Sequence, residues 1–429
     1  MPSGQPNIRT EAHPDQLVVD LSQLDQVLEM LRPIKVLWSS VTKNNALGLG
    51  LIGLEDVPAK YLGPDGQPDV NRLISHLRKV YLREHHEELT IGKNRIVGSL
   101  VGSPYTGGGE GVPTPYTGGA LIGGPYVAAG NPPYTGGGQP GSPYAAAGSP
   151  PYTGGAQQGI QLLPLTGTLP LRTEPPAKGV AVGILDTRLF AHPDLAGRYL
   201  ASHGTLALEV PARPPDQEAH ATFIAGVVLE RAPNATLIVD HVLNESDIAT
   251  SSWKVATKMV RFADAGVKVL NISFGAATDD DEAPLVLKRA VEVLGKHRVT
   301  IVAAAGNHGP DQKKIWPAAL HETARNVVAV GAGQPDATGD FVSAAFSPDG
   351  SWVGLIAPGE DIYSTYKAGG YATWSGTSFA AAAVSGAIAR LIEATNMSAE
   401  AAVAWLMHPP AKRKETEVSA LMGDIGPRA

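Results

Sequence analysis

Trp374-Ser-Gly-Thr-Ser-Phe-Ala-Ala-Ala-Ala-Val-Ser-Gly-Ala-Ile-Ala389 reads as a helix that carries almost no bulk. After Phe379 the residues are nearly all small, and Gly386 lies among them. A helix so bare has to pack closely against other backbone, as the central buried element of a large core does. A serine at its opening, Ser378, has the positive end of the macrodipole behind it and a backbone N–H with no intrahelical partner. Such an N–H can face a developing oxyanion. Simple capping by Thr377 or Ser378, the commonest use of these residue types, stays open on this stretch alone.

Outward from that helix, from about Pro176, short apolar runs alternate with helical stretches. The runs are Gly179 to Leu185, Thr236 to Leu243, Val267 to Ile272, Arg298 to Ala304 and Asn326 to Val330; the helical stretches are Ala219 to Glu230, Ser251 to Ala265, Ala283 to Lys296 and Ser378 to Ala394. Continuous apolar strands alternating with helices predict an α/β fold, doubly wound, with a mainly parallel sheet and helices on both faces. Sites in such sheets form at the carboxyl ends of strands, where the chemistry-bearing residues fall.

A serine hydroxyl is a weak nucleophile and needs a base held by a third group. His220 opens a second small-and-apolar helical stretch, His220-Ala-Thr-Phe-Ile-Ala-Gly-Val-Val, and is the candidate base. Asp186 ends the run Val180-Ala-Val-Gly-Ile-Leu-Asp, and a carboxylate right after a buried strand needs a partner such as an imidazole N–H. Asn307 follows Ile301-Val-Ala-Ala-Ala-Gly and is placed to donate to an oxyanion beside the Ser378 N–H. Singly, each has an ordinary alternative: a surface or capping histidine, a loop cap with Thr187, a turn asparagine. Their joint occurrence in one α/β domain points to a catalytic triad with an oxyanion hole.

The blocks that hold these residues resemble the subtilisin-like serine proteases. They are Gly183-Ile-Leu-Asp-Thr-Arg with His192-Pro-Asp-Leu, His220-Ala-Thr-Phe-Ile-Ala-Gly, Asn271-Ile-Ser-Phe-Gly, Ala304-Ala-Gly-Asn-His-Gly, Trp316-Pro-Ala, Ala357-Pro-Gly and Ser375-Gly-Thr-Ser-Phe-Ala. The order Asp, His, Ser matches that class. The resemblance implies a subtilisin-like fold and a serine endopeptidase with catalytic Asp186, His220 and Ser378 and oxyanion-hole Asn307. It further implies that Ser273, Phe274 and Gly275 pair with substrate backbone, and that Ala304, Ala305 and Gly306 wall the primary specificity pocket. Lys313-Lys-Ile-Trp-Pro-Ala corresponds to the segment that closes this pocket. Ile315 pointing inward would favour small or medium residues before the cut, and Lys313 or Lys314 at the rim would favour acidic ones. Ala221, Phe223 and Ala382 depart from the family pattern beside intact catalytic side chains.

No cofactor is needed for this chemistry and no metal is expected. Asp279-Asp-Asp-Glu282, the only acidic cluster, reads as a helix-start charge group. A catalytically idle peptide-binding or assembly protein on the same fold is the alternative from another class, and the intact residue set argues against it. An ester hydrolase would carry a Gly-x-Ser-x-Gly elbow, which Gly376-Thr-Ser-Phe-Ala lacks.

Residues 16–100 alternate as β-α-β-β-α-β, with a helix-start signal at Ser22 and Asp25, and predict a small α+β, ferredoxin-like module. The pattern resembles the inhibitory prodomain of subtilisin-like proteases; a recruitment module for another protein is the rival. Residues 101–160 form a Pro/Gly/Tyr-rich low-complexity linker with Pro-Tyr pairs at Tyr105, Tyr116, Tyr126, Tyr134, Tyr144 and Tyr152. It is a spacer, or a display of tyrosines that binds a partner protein. The peptidase domain is expected over 176–410 and a polar tail over 411–429.

Of the 429 residues 43% are apolar, enough for a large core, and the 49 Gly and 35 Pro concentrate in the linker. The net charge of -7 includes no long basic block, which disfavours nucleic acid and anionic membranes and leaves proteins or peptides as substrates. With no cysteine, disulfides and a thiol nucleophile are excluded. Met1 to His13 lacks the pattern of a secretory signal and no apolar run of about 18 residues is evident, so a cytoplasmic location is expected.

Overall fold

The computed structural model describes residues 12–99, 179–201, 206–207, 216–243, 249–310, 313–336, 341–366, 369–408 and 425–427. The Pro-Tyr linker and most of the expected tail lie outside these residues.

The amino-terminal unit contains β1 (Ala12–Asp20), α1 (Leu24–Leu31), β2 (Leu37–Asn44), β3 (Leu49–Asp56), α2 (Val70–His85) and β4 (Ile91–Ser99). The strands run in the order β4-β1-β3-β2, each pair antiparallel. Alternation along β1 gives the sheet two apolar faces. Leu17 and Val19 pack with Leu24, Val27, Leu31, Leu73 and Leu77 of the helices, whereas Val18 joins Leu49 and Val97 in the core of the larger domain. The helix-start signal at Ser22 and Asp25 is corrected by one turn. Asp20 accepts from both Ser22 N (3.0 Å) and Ser22 Oγ (2.7 Å), closing a short 3₁₀ turn before α1.

The larger domain begins with β5 (Ala181–Asp186), β6 (Leu189–Phe190), β7 (Tyr199–Ala201) and β8 (Leu206–Ala207). There follow α3 (His220–Arg231), β9 (Thr236–His241), β10 (Ala249–Ser251), α4 (Ser252–Met259), β11 (Val269–Ile272), β12 (Phe274–Gly275) and α5 (Leu285–Lys296). Next come β13 (Thr300–Ala304), β14 (Val327–Pro335), β15 (Phe341–Ser343), β16 (Leu355–Ala357) and the hairpin β17 (Ile362–Thr365) and β18 (Tyr371–Trp374). The hairpin feeds α6 (Thr377–Thr395), then α7 (Ala399–Met407) and β19 (Gly426–Pro427).

The main sheet runs β16-β14-β13-β11-β5-β9-β7, all parallel, with β19 antiparallel on β16 and β15 antiparallel on β14. Buried Ile184 and Leu185 are neighbours on β5 and face opposite sides, so each side has its own core. Ile184 packs with α3 and α6, and Leu185 with α4 and α5. This is the doubly wound α/β arrangement expected from alternating apolar strands and helices. Each buried Val, Leu or Ile contributes about 1.5–3 kcal/mol by transfer from water. The segment read as a polar tail is not polar throughout, since Ile425 is fully buried and β19 extends the sheet.

Fourteen of the nineteen residues of α6 are buried. A Cβ on Gly386 would lie 2.6 Å from Arg231 Cβ and 2.7 Å from Val228 O, so only glycine lets α6 approach α3 this closely. By length and composition α6 could cross a membrane, with a mean hydropathy of 1.2 over 18 residues, but 78% of that stretch is buried inside the protein, where its Ala-rich surface meets the sheet and α3.

The two units share a sheet. β4 pairs antiparallel with β10 (Ile96↔Ser251, Val97↔Thr250, Gly98↔Ala249) and with β12 (Gly98↔Gly275, Ser99↔Phe274). Buried Asn94 accepts from Trp253 N (2.9 Å) and so caps α4 from outside its own domain. Ser252 Oγ receives Arg95 N (2.9 Å) and donates to Asn94 Oδ1 (3.1 Å). Arg95 also grips Asp280, while Arg289 on α5 donates to Asp20 (2.7 Å). The helix-start reading of Asp279 to Glu282 is thereby corrected. α5 begins at Leu285 with no acidic residue in its first turn, and Asp280 serves the junction instead.

Candidate active site

Asp186 ends β5, His220 opens α3 and Ser378 is the second residue of α6; all three are buried, at 0%, 0% and 1% exposure. The apolar strand carries Asp186 to the sheet's carboxyl edge, where its carboxylate meets the imidazole, with His220 Nδ1 2.8 Å from Asp186 Oδ1. The same oxygen accepts from Thr187 N at 2.7 Å, so the loop-cap role weighed for Asp186 and the histidine contact coexist. Because Nδ1 faces a carboxylate it carries the proton, and Nε2 is left as the acceptor. Nε2 is buried with no hydrogen-bond partner.

The imidazole is held by rings as well as by charge. Trp374 meets it edge-on at 5.5 Å and Phe379, next to Ser378, lies at 5.7 Å; Phe223 packs on Phe379 at 4.5 Å. Phe223 therefore supports the aromatic wall behind His220.

Neither Thr377 nor Ser378 caps α6. The N-cap is Gly376, with no side-chain cap bond. Asn307, at the loop after β13, accepts from Thr377 N (2.9 Å) and Thr377 Oγ1 (3.0 Å) through Oδ1. That fixes the carboxamide, and its Nδ2 lies 3.4 Å from where a Cβ on Gly376 would sit. The amide N–H groups therefore lie beside the start of α6, close to Ser378. Ser378 Oγ donates to the Ser273 carbonyl at 3.2 Å, so the hydroxyl is hydrogen-bonded to the strand that leads into β12.

Ser273 lies against Ser378, and Phe274 and Gly275 follow it in β12, already paired to β4. Ala304 and Ala305 are buried at the end of β13, and Gly306 follows with φ +112°, a conformation that L side chains rarely adopt. A Cβ there would also lie 3.1 Å from Ile315 Cγ1 and 2.7 Å from His308 Nδ1. Ile315 is 5% exposed and points at Gly306, and Ala276 and Trp316 exchange both backbone hydrogen bonds at 2.9 Å, closing that side. Lys314 is paired with Glu322 (2.9 Å), whose hydrogen bond raises the ammonium pKa.

Sequence reasoning gave Thr377 only a capping role, where it instead holds Asn307, and missed Asn271 and Ser385. Asn271 Nδ2 donates to Ser273 Oγ (2.9 Å) and Ser385 Oγ to Asn271 Oδ1 (3.0 Å), all buried. An asparagine inside an otherwise apolar strand and a serine seven residues after Ser378, on the same helix face, were the available signals. Among the described residues no group of three or more His, Cys, Asp or Glu could hold a metal ion.

The model of the subtilase family matches residues 177–424. Similar proteins include the intracellular serine protease of Paenibacillus polymyxa, 31% identical over 235 residues, covering 52% of this chain and 69% of that protein. Thermitase of Thermoactinomyces vulgaris is 32% identical over 233 residues, 52% of this chain and 77% of that one. The thermophilic serine proteinase of Bacillus sp. (strain AK1) is 32% identical over 227 residues, and the chain spans only 52% of its length. Among solved structures, the patellamide maturation protease PatA aligns at 28% identity with a TM-score of 0.44, over 57% of this chain and 92% of that one. A strand-end aspartate joined to a helix-start histidine, with a serine opening the buried helix and the family model matching more than half of the sequence, makes this chain a member of the subtilase family.

Proposed function

We propose that the chain is a serine endopeptidase that cuts peptide bonds through an acyl-enzyme. The observation that carries this is the buried 2.8 Å contact between Asp186 and His220, whose ring lies against Phe379, the residue after Ser378. His220 Nε2 takes the Ser378 proton as Oγ attacks the carbonyl carbon, and returns it to the leaving amine; a water then repeats the cycle on the ester. Asp186 holds the imidazole in its tautomer and stabilises the imidazolium. The Asn307 amide and the Ser378 N–H receive the oxyanion. Substrate lies extended along Ser273, Phe274 and Gly275, paired by main-chain hydrogen bonds, with its specificity side chain between Ala304, Ala305 and Gly306. The test is turnover of a quenched-fluorescence peptide by Asp186→Ala, His220→Ala and the double variant. Each single change is expected to remove most activity with little further loss in the double, because the groups act as a unit. Additive losses, or an active His220→Ala, would sink the reading.

The amino-terminal unit, with its ferredoxin-like strand order, is in this reading an inhibitory prodomain. Its support is β4, which lies between β10 and β12 where a substrate strand would pair. A recruitment module would have no reason to fill that place. The Pro-Tyr repeats serve as the tether, with partner binding through the tyrosines as the alternative. A cytoplasmic site of action accords with the name of the Paenibacillus polymyxa relative.

A further inference from the structure

A closed circuit of buried hydrogen bonds runs behind Ser378. Ser385 Oγ donates to Asn271 Oδ1 (3.0 Å), Asn271 Nδ2 to Ser273 Oγ (2.9 Å), and Ser273 Oγ to the Ser378 carbonyl (3.1 Å). Two turns of α6 complete the loop between Ser378 and Ser385. All three side chains are 0% exposed. The direction of the circuit is fixed by its chemistry. A serine oxygen that accepts from an amide N–H has one proton left to give, so the Ser273 hydroxyl must point at Ser378 O.

The circuit joins the two places whose separation matters for the reaction proposed above. One is the start of α6, with the Ser378 nucleophile. The other is the Ser273 carbonyl, the next main-chain acceptor beyond the Phe274 position that pairs with Ser99 of β4. A substrate strand in that register sets its next residue, the one to be cut, against Ser273. Ser378 Oγ is 3.2 Å from the same carbonyl, so nucleophile and substrate anchor are neighbours. Simple cohesion between β11 and α6 does not require polar groups, because apolar residues of the same shape can serve as well or better in a core. A fully satisfied buried network instead imposes one geometry.

We propose that Asn271 and Ser385 are positioning residues, which hold Ser273 and the first turn of α6 in one register so that Ser378 meets the peptide held on Ser273. They touch neither substrate nor the reacting atoms. A misplacement of about 1 Å at a reacting pair costs on the order of 10²-fold in rate, so the loss is expected in kcat and not in KM.

This inference rests on the protease reading, and the experiment separates the two. In protein made as the full chain and then freed of its amino-terminal unit by cleavage within residues 101–160, the rate of Ser378 labelling by a small fluorophosphonate is compared with kcat and KM on a quenched-fluorescence peptide. The comparison covers wild type, Asn271→Ala, Ser385→Val and Ser385→Thr, with thermal unfolding of each. The expected result is a roughly 10- to 100-fold fall in labelling rate and kcat for Asn271→Ala and Ser385→Val, with KM and the pH profile's midpoint unchanged. Ser385→Thr, which keeps the hydroxyl and matches valine in shape, should retain most of the rate. If Asn271→Ala does not fold, the Thr/Val pair decides alone. Wild-type rates in folded Asn271→Ala or Ser385→Val, whatever their unfolding temperature, overturn the proposal. A folded wild type that, freed of its amino-terminal unit, neither labels nor turns over overturns the protease reading, and this inference with it.

Discussion

Arg95 of β4 donates to both carboxylate oxygens of Asp280 in the larger domain, at 2.8 and 2.6 Å, while Lys93 stands 3.5 Å away. Partial burial pushes the Asp280 pKa up, but the Arg95 hydrogen bonds, the Glu282 N–H and the charges of Arg95 and Lys93 outweigh it and hold the carboxyl below its usual value. A depressed carboxylate pKa stabilises the docked state above the ordinary value of 3.8 and loses that contribution as pH falls through the depressed one.

Asp280→Asn should therefore loosen β4 by about 1–2 kcal/mol. That is below the roughly 3–5 kcal/mol seen when a fully buried pair is broken, since the Asp280 side chain is 38% exposed. Hydrogen exchange of the Ile96 to Ser99 amides would report it. Exchange as slow as in wild type would show that the pair does not latch the unit.

If the amino-terminal unit is a prodomain, residues 1–101 added in trans should inhibit residues 170–429, or rescue their folding. A soluble, fully active 170–429 that the fragment neither binds nor inhibits would leave the unit a recruitment module.

Ile315, pointed at Gly306, should restrict the residue before the cut to small or medium side chains, and Ile315→Gly should admit aromatic ones. Lys314 is already paired with Glu322, which favours the size argument over charge. A peptide-library profile of the wild type dominated by large aromatic residues at that position would contradict it.

His192 is fully buried, accepts from Asp194 N through Nδ1 (3.1 Å) and so donates through Nε2 to Gly370 O (3.0 Å). Burial lowers its pKa against the opposing pull of Asp194 and the Gly370 bond; Tyr371, hydrogen-bonded to Asp194 at 2.6 Å, is the other titratable group facing it. The unfolded chain then binds the proton more tightly. Stability should be full above about pH 6.5 and fall below it, and His192→Gln should flatten that fall in a pH series of unfolding temperatures. An unchanged slope would exclude His192 as its source.

The alternating runs between 179 and 395 made the α/β fold legible, and Asp186, His220 and Ser378 stood out because polar residues ended or opened apolar segments. What could not be read was pairing at a distance. Asn94 caps a helix some 160 positions later, and nothing local to either partner signals it. Asn271 and Ser385 looked like a strand polar residue and a helix serine until β11 and α6 were laid side by side. Asp280 sat in a charge run that composition assigns to a helix start, but Arg95, buried in β4, needed a carboxylate more.

The central claim is that Ser378 is a base-activated nucleophile, and active-site labelling tests it most directly. Folded wild type treated with a fluorophosphonate probe should carry one adduct, mapped by mass spectrometry to Ser378. Ser378→Ala should carry none, and His220→Ala should label slower by orders of magnitude. Labelling that survives Ser378→Ala, or a folded wild type freed of its amino-terminal unit that does not label, would contradict the account.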